Sequence, residues 1–225
     1  MIFKKMKFSH NFIKSFARRK FKQISNSKYH VLEKNKSNFF TNINLDQLLE
    51  KGKSIELEIG FGNGEYLISR MINNPDTLFL ACEVFLNGII NFLNLIEKYE
   101  LKNYILFQDD IYNLLPNLPN HILTEVFILF PDPWPKTRQK KRRLVNYFFL
   151  NKIIPKLSKS SLIHFISDDE NYISHTEELF QDCEYFSVNK YDNPSEILKN
   201  YSPTKYHRKA LTKNKKVQYL LVQFS

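Results

Sequence analysis

Ser54-Ile-Glu-Leu-Glu-Ile-Gly-Phe-Gly-Asn-Gly64 is the stretch whose reading decides how this chain folds. Its first six residues alternate and then run apolar, which predicts a strand. Three glycines follow within one pentapeptide, and after them Tyr66, Leu67, Met71 and Ile72 fall at helical spacing. Strand, glycine turn, helix is the opening unit of an α/β domain. Glycine allows the tight turn, and its bare backbone lets a ligand come close. The spacing Gly60-x-Gly62-x-Gly64, with Glu58 two residues ahead, is not the Gly-x-Gly-x-x-Gly dinucleotide fingerprint. Nor is it a phosphate-cradling P-loop, since no Gly-Lys-Ser/Thr follows.

Further strands are predicted outward from this unit. Leu78 to Cys82 ends in Glu83, an acid placed to accept from ribose hydroxyls. Tyr104 to Phe107 ends in Asp109-Asp110. Three successive strands therefore end near an acid: Glu58, Glu83 and Asp110. Such acids converging on the glycine loop suit a ligand with a ribose, an adenine and an amino group, and do not suit a pyrophosphate. A fourth strand, Glu125 to Phe130, is stopped by Pro131, Pro133 and Pro135, which donate no ladder hydrogen bond. Between the prolines sit Asp132 and the only tryptophan, Trp134. A basic run follows: Lys136, Arg138, Lys140, Lys141, Arg142 and Arg143.

The remaining elements are a fifth strand over Leu162 to Ile166, a helix over Glu170 to Gln181, a sixth strand over Glu184 to Asn189 and a last one over Val217 to Phe224. Between them, Tyr191 to Ala210 is polar, carries Pro194 and Pro203, and reads as a long loop. Residues 1–50 form a separate basic arm, free of acids up to position 32 and interleaved with phenylalanines. Within it a short helix is expected over Leu45 to Leu49. Residues 51–225 form one domain.

The 33 Lys plus Arg against 23 Asp plus Glu give a net charge of +10, which favours a polyanionic partner, nucleic acid first and a membrane surface second. No apolar run reaches membrane-spanning length, and the basic N-terminus does not read as a secretory signal. Cys82 and Cys183 fit no metal or redox spacing. A reducing, cytoplasmic setting and the absence of a metal are the corresponding expectations.

Glu58-x-Gly60-x-Gly62-x-Gly64, then Glu83, then Asp110, resembles the S-adenosylmethionine site of the Rossmann-like class I methyltransferases. Phe130-Pro-Asp-Pro-Trp-Pro-Lys136, Lys140-Lys-Arg-Arg143 and Cys82-Glu-Val-Phe-Leu-Asn-Gly88 sharpen the resemblance to the tRNA (guanine-N7)-methyltransferase family. The resemblance runs from about residue 54 to the C-terminus. It implies a seven-stranded, mostly parallel sheet with an antiparallel last strand and helices on both faces. It implies S-adenosylmethionine as cofactor, held by Glu58, Gly60, Gly62, Gly64, Glu83, Asp110 and Asp132. The implied substrate is a guanosine in the variable loop of tRNA. No obligate protein partner is implied.

Asp132 is the residue to which the resemblance gives the central role. Guanine N7 carries a lone pair and no proton, so Asp132 is expected to orient the base and support its developing positive charge, not to act as a base. Lys136, Asp168, Thr204, Lys205, Tyr206 and His207 match substrate positions. Where the family pattern is Thr-x-Phe/Tyr-Glu, this chain has His207 in place of the glutamate. Arg138, Lys140, Lys141, Arg142 and Arg143 are expected to grip the RNA backbone. Trp134 is open to two readings, stacking on the base or packing into the protein. A methyltransferase acting on another base, an amine or a protein, and a non-catalytic RNA-binding subunit, are the alternatives. The glycine spacing disfavours a dinucleotide oxidoreductase.

Overall fold

The computed structural model describes residues 26–40, 53–198 and 201–225. Most of the expected arm, including the helix expected over Leu45 to Leu49, lies outside the described residues. The elements run α1 (Asn26–Lys34), β1 (Ile55–Ile59), α2 (Glu65–Asn73), β2 (Leu78–Cys82), α3 (Leu86–Tyr99), β3 (Tyr104–Phe107) and α4 (Ile111–Leu114). They continue as β4 (Leu123–Leu129), α5 (Tyr147–Ile153), β5 (Leu157–Ser167), α6 (Glu170–Gln181), β6 (Phe186–Tyr191), α7 (Lys205–Leu211) and β7 (Gln218–Phe224).

The seven strands form one sheet in the order β3-β2-β1-β4-β5-β7-β6. β1 to β5 pair in parallel, and β7 runs antiparallel to both β5 and β6. The strand order reverses between β1 and β4, which opens a crevice at their carboxyl ends. Both loops singled out from the sequence begin there.

A central parallel strand is covered on both faces, and every residue of β1 is buried. Ile55, Leu57 and Ile59 face the largest core cluster, which includes Phe149, Phe165 and Tyr172 from β5, α5 and α6. By strand alternation, Glu56 and Glu58 face the other side. That side holds two smaller clusters. One is built under α2 and α3 from Met71, Phe79 and Phe92; the other gathers Tyr66, Phe127, Ile166 and Tyr219. The buried acids lie between them.

A carboxylate so placed is costly unless paired. Glu56 is answered by Arg70 of α2, which donates from Nε at 3.1 Å and also from Nη2. Arg70 approaches Glu125 at 3.7 Å. Glu125 meets His164 Nε2 at 2.9 Å, and His164 Nδ1 lies 2.7 Å from the Tyr219 hydroxyl. Burial lowers the His164 pKa, while its bond to His164 helps to hold the Glu125 carboxyl below the ordinary range despite burial.

Besides shifts of one or two residues at the ends of β4, β6 and β7, two expectations change. β5 begins at Leu157, five residues early, because Leu157 pairs with Leu123 before the register shifts. The exposed Lys159 and Ser160 conceal that start from an apolar pattern. The segment expected as a loop over Tyr191 to Ala210 contains α7, which runs on to Leu211. Thr204 caps it, its hydroxyl accepting from His207 N at 3.2 Å. With His207 and Ala210 its only buried residues, the helix shows too little periodicity to be seen in sequence.

Residues 29–40 belong spatially to the sheet. Val31 and Leu32 pack on the cluster under α3, and Phe40 N donates to Leu106 O at 2.7 Å on the outer side of β3.

Candidate functional site

Gly60, Gly62 and Gly64 all have left-handed φ, at 75°, 58° and 77°, a region in which a Cβ is strained. A Cβ on Gly64 would also sit 2.6 Å from Phe92. A Cβ on Gly88, in the first turns of α3, would lie 2.2 Å from Gly62 O. Two backbones thus touch at this point. The loop is tied from below by Glu83, whose Oε2 accepts from Gly62 N at 2.7 Å. Its Oε1 accepts from Val84 N and Phe85 N at 2.7 and 2.9 Å. Burial still raises the Glu83 carboxyl above its ordinary range.

Above the loop is an open cleft lined by Glu58, Gly60, Phe61, Gly62, Asn63, Glu65, Phe85, Leu129, Thr204, Lys205 and Tyr206. It therefore gathers Glu58, Gly60 and Gly62 with Thr204, Lys205 and Tyr206. α7 reaches it because Glu65 accepts from Lys205 N at 2.6 Å and from Arg208 Nη2 at 2.9 and 3.1 Å. Sequence reasoning missed Glu65; its signal was an acid opening the first turn of a helix, where the dipole favours it.

Glu58 is the exceptional group. It is 4% exposed, and its Oε2 has no hydrogen-bond partner. Burial first, then the negative Glu83 and Glu56, raise its pKa to about 8. A buried, unpartnered carboxyl at the edge of a cleft is suited to a cationic ligand. Gly60 has open space where a Cβ would stand, so ligand atoms can approach the backbone there.

Asp110 is placed differently. It is 2% exposed and caps α4, accepting from Tyr112 N at 3.1 Å. Neither it nor Glu83 lines the cleft directly.

The second loop follows β4. Phe130 N bonds Ile166 O at 2.8 Å, and φ then turns positive at Phe130 (52°) and again at Trp134 (45°). Such values in non-glycine residues cost about 1–3 kcal/mol each. Asp132 stands between them with its side chain at the surface. Partial desolvation raises its carboxyl pKa, and its charge is felt at Glu83 and at Tyr206 across the cleft. Trp134 is half-buried, with the Arg142 guanidinium 4.9 Å above its ring. Asp168, at the end of β5, accepts from Lys215 Nζ at 2.7 Å.

Two site assignments need correction. Arg143, expected on RNA phosphates, is 1% exposed, and its donors are turned inward to Pro133 and Asn171. His207, expected to meet substrate, is 7% exposed, with Nδ1 2.9 Å from the Tyr201 hydroxyl and its ring against Phe130. It packs under α7 instead of entering the cleft. Lys136, Arg138 and Lys141 are exposed, and Lys140 and Arg142 half-exposed, on the 3₁₀ turn Thr137–Arg142.

The strand order, the antiparallel β7 and an acid-led glycine loop at the switch point define a Rossmann-like class I methyltransferase. A solved antibiotic-related methyltransferase shares this fold, with a TM-score of 0.62 and 14% identity over 83% of this chain and 95% of that one. A family model described as "Putative methyltransferase" matches residues 52–220. The tRNA (guanine-N(7)-)-methyltransferase of Wolbachia pipientis wMel is 36% identical over 178 residues, covering 79% of this chain and 78% of that protein. The chain belongs to the tRNA (guanine-N7-)-methyltransferase family. A "Bifunctional methyltransferase" of Rickettsia felis is 36% identical over 95% of this chain. The chain spans 40% of that relative's length.

Proposed function

We propose that this chain transfers a methyl group from S-adenosylmethionine to N7 of a guanosine in the variable loop of tRNA, in the cytoplasm. The observation that carries this reading is the pair of carboxylates at one switch point. Glu58 is buried and unpartnered beside the glycine loop, and Asp132 is exposed on the neighbouring proline loop. The first fits the positive charge of the cofactor. The second fits a base that becomes positive.

The cofactor brings an electrophilic methyl on a sulfonium; the chain's residues supply place and charge. Gly60 and Gly62 offer bare backbone in the cleft, and Phe85 and Leu129 offer apolar lining. Asp132 needs to remove no proton from N7. It holds the guanine and stabilises the positive charge arriving on it, an electrostatic role of the kind that contributes several kcal/mol. Alignment of N7 with the methyl supplies much of the remainder, roughly 7 to 11 kcal/mol at its ceiling. Asp168 accepts from the base once Lys215 shares or yields it. Lys136, Arg138, Lys140, Lys141 and Arg142 hold phosphates. Within this reading residues 51–225 are the methyltransferase domain, and the basic arm of 1–50 packs on it through residues 31–40.

Incubating the purified chain with tRNA and methyl-labelled S-adenosylmethionine, then digesting to nucleosides, tests it directly. Label in 7-methylguanosine from the variable loop is expected. Label on an exocyclic nitrogen, or in protein alone, would overturn it.

A further inference from the structure

We infer that Arg143 is a positioning residue, an internal strut that fixes the Asp132 loop against the start of α6, and not a phosphate contact. The inference rests on the role proposed above for Asp132. Arg143 closes a basic run whose other members reach the surface, yet it is itself 1% exposed. Burying a guanidinium is costly unless its donors are met. Here Nε donates to Pro133 O at 2.9 Å, Nη1 to Asn171 O at 3.3 Å and Nη2 to Asn171 Oδ1 at 3.0 Å. Its plane lies 4.5 Å over the Tyr172 ring, and Asp169 stands 3.8 Å away.

Each contact has a consequence for the site. Pro133 is the residue after Asp132. Pro131, Pro133 and Pro135 have no N–H, so this loop can be anchored chiefly through its carbonyls. Phe130 and Trp134 hold left-handed φ on either side of Asp132, and such a conformation persists only where its surroundings over-determine it. The other end of the strut is Asn171 in the first turn of α6, three residues after Asp168. One side chain thus sets the spacing between the two loops that present Asp132 and Asp168. Lysine offers one point of charge in place of the planar fork and cannot hold both ends.

The test uses the full chain with Arg143→Lys, Asn171→Ala, Asp132→Ala and Asp132→Ala/Arg143→Lys. Single-turnover methylation of tRNA is measured at saturating S-adenosylmethionine and tRNA, with tRNA affinity followed against salt. Arg143→Lys should slow methylation roughly ten- to a hundredfold, with cofactor affinity and salt slope held at wild type. Asn171→Ala, which leaves the guanidinium in place, should show the same split at smaller size. The double variant should be no slower than Asp132→Ala alone, since the strut acts through that carboxylate. Wild-type turnover in Arg143→Lys, which keeps a charge able to meet phosphate but not the planar fork, would make Arg143 a phosphate contact. Losses that add in the double variant would make it a general stability residue. Either result overturns the strut alone. Wild-type turnover in Asp132→Ala would instead overturn the reading on which it rests.

Discussion

The glycine loop after β1 and the proline loop after β4 lie side by side at the carboxyl edge of the sheet and are built in opposite ways. The first uses three left-handed glycines, packs against α3, and is tied through its own amide to Glu83. The second has prolines in place of amides, carries strain at Phe130 and Trp134, and is tied through a carbonyl to Arg143. One keeps its carboxyl, Glu58, out of water and without a partner; the other holds Asp132 toward solvent. The difference fits the tasks proposed for the two loops. A small cation can be drawn into a desolvated slot, whereas a nucleotide on a large RNA is met at the surface.

The sharpest break of this contrast is Asp132→Ala. Turnover should fall by about a hundredfold or more while cofactor affinity stays near wild type, read by single-turnover kinetics beside equilibrium dialysis. Gly88→Ala attacks the other loop without touching its chemistry. The added methyl meets Gly62 O at 2.2 Å, so overpacking should destabilise the protein by about 1–3 kcal/mol, and S-adenosylmethionine affinity should drop with it. Thermal melts with and without cofactor check both effects.

Glu58→Gln separates stability from binding. The pKa of Glu58 is raised from 4.5 to about 8, so the fold favours its neutral form. Its contribution to stability is full below about 4.5 and is lost as pH rises through about 8. The ligand-free variant should therefore gain stability over wild type as pH approaches 8, yet bind S-adenosylmethionine about tenfold or more weakly. In the wild type, binding near pH 7 should release a proton, measurable by calorimetry in buffers of different ionisation enthalpy; the variant should release none from this site. The smallest effect belongs to Glu65→Ala. It frees α7 from α2, and an ion pair this exposed is worth only about 0.2–1 kcal/mol. A melting shift of a few degrees at most and a modest rise in cofactor dissociation are expected.

Much of the molecule was legible in sequence because its strands are buried on both faces and read as apolar runs. Leu78–Cys82, Tyr104–Phe107 and Glu170–Gln181 fall where the pattern placed them. So does the glycine loop, whose left-handed conformation is written in residue type. What was hidden is what depends on partners distant in sequence. α7 is a short polar helix held by Thr204 and Glu65. Its Thr204-x-x-His207 start lacks the glutamate that would have completed a capping box. Arg143 looked like its three neighbours because a charge run carries no mark of which member turns inward. Glu56 carries no mark in sequence of the Arg70 that pairs with it from α2.

The contact of Phe39 and Phe40 with β3 bears on how the sheet ends. An open sheet invites another strand onto its margin, and proteins discourage this by covering, shortening or charging the outermost strand. Here β3 has only four residues, and Leu106 is already engaged from outside. The opposite margin, β6, exposes Ser187, Asn189 and Lys190. A second molecule would find one margin covered at Leu106 and a lysine in its path at the other, which favours self-avoidance.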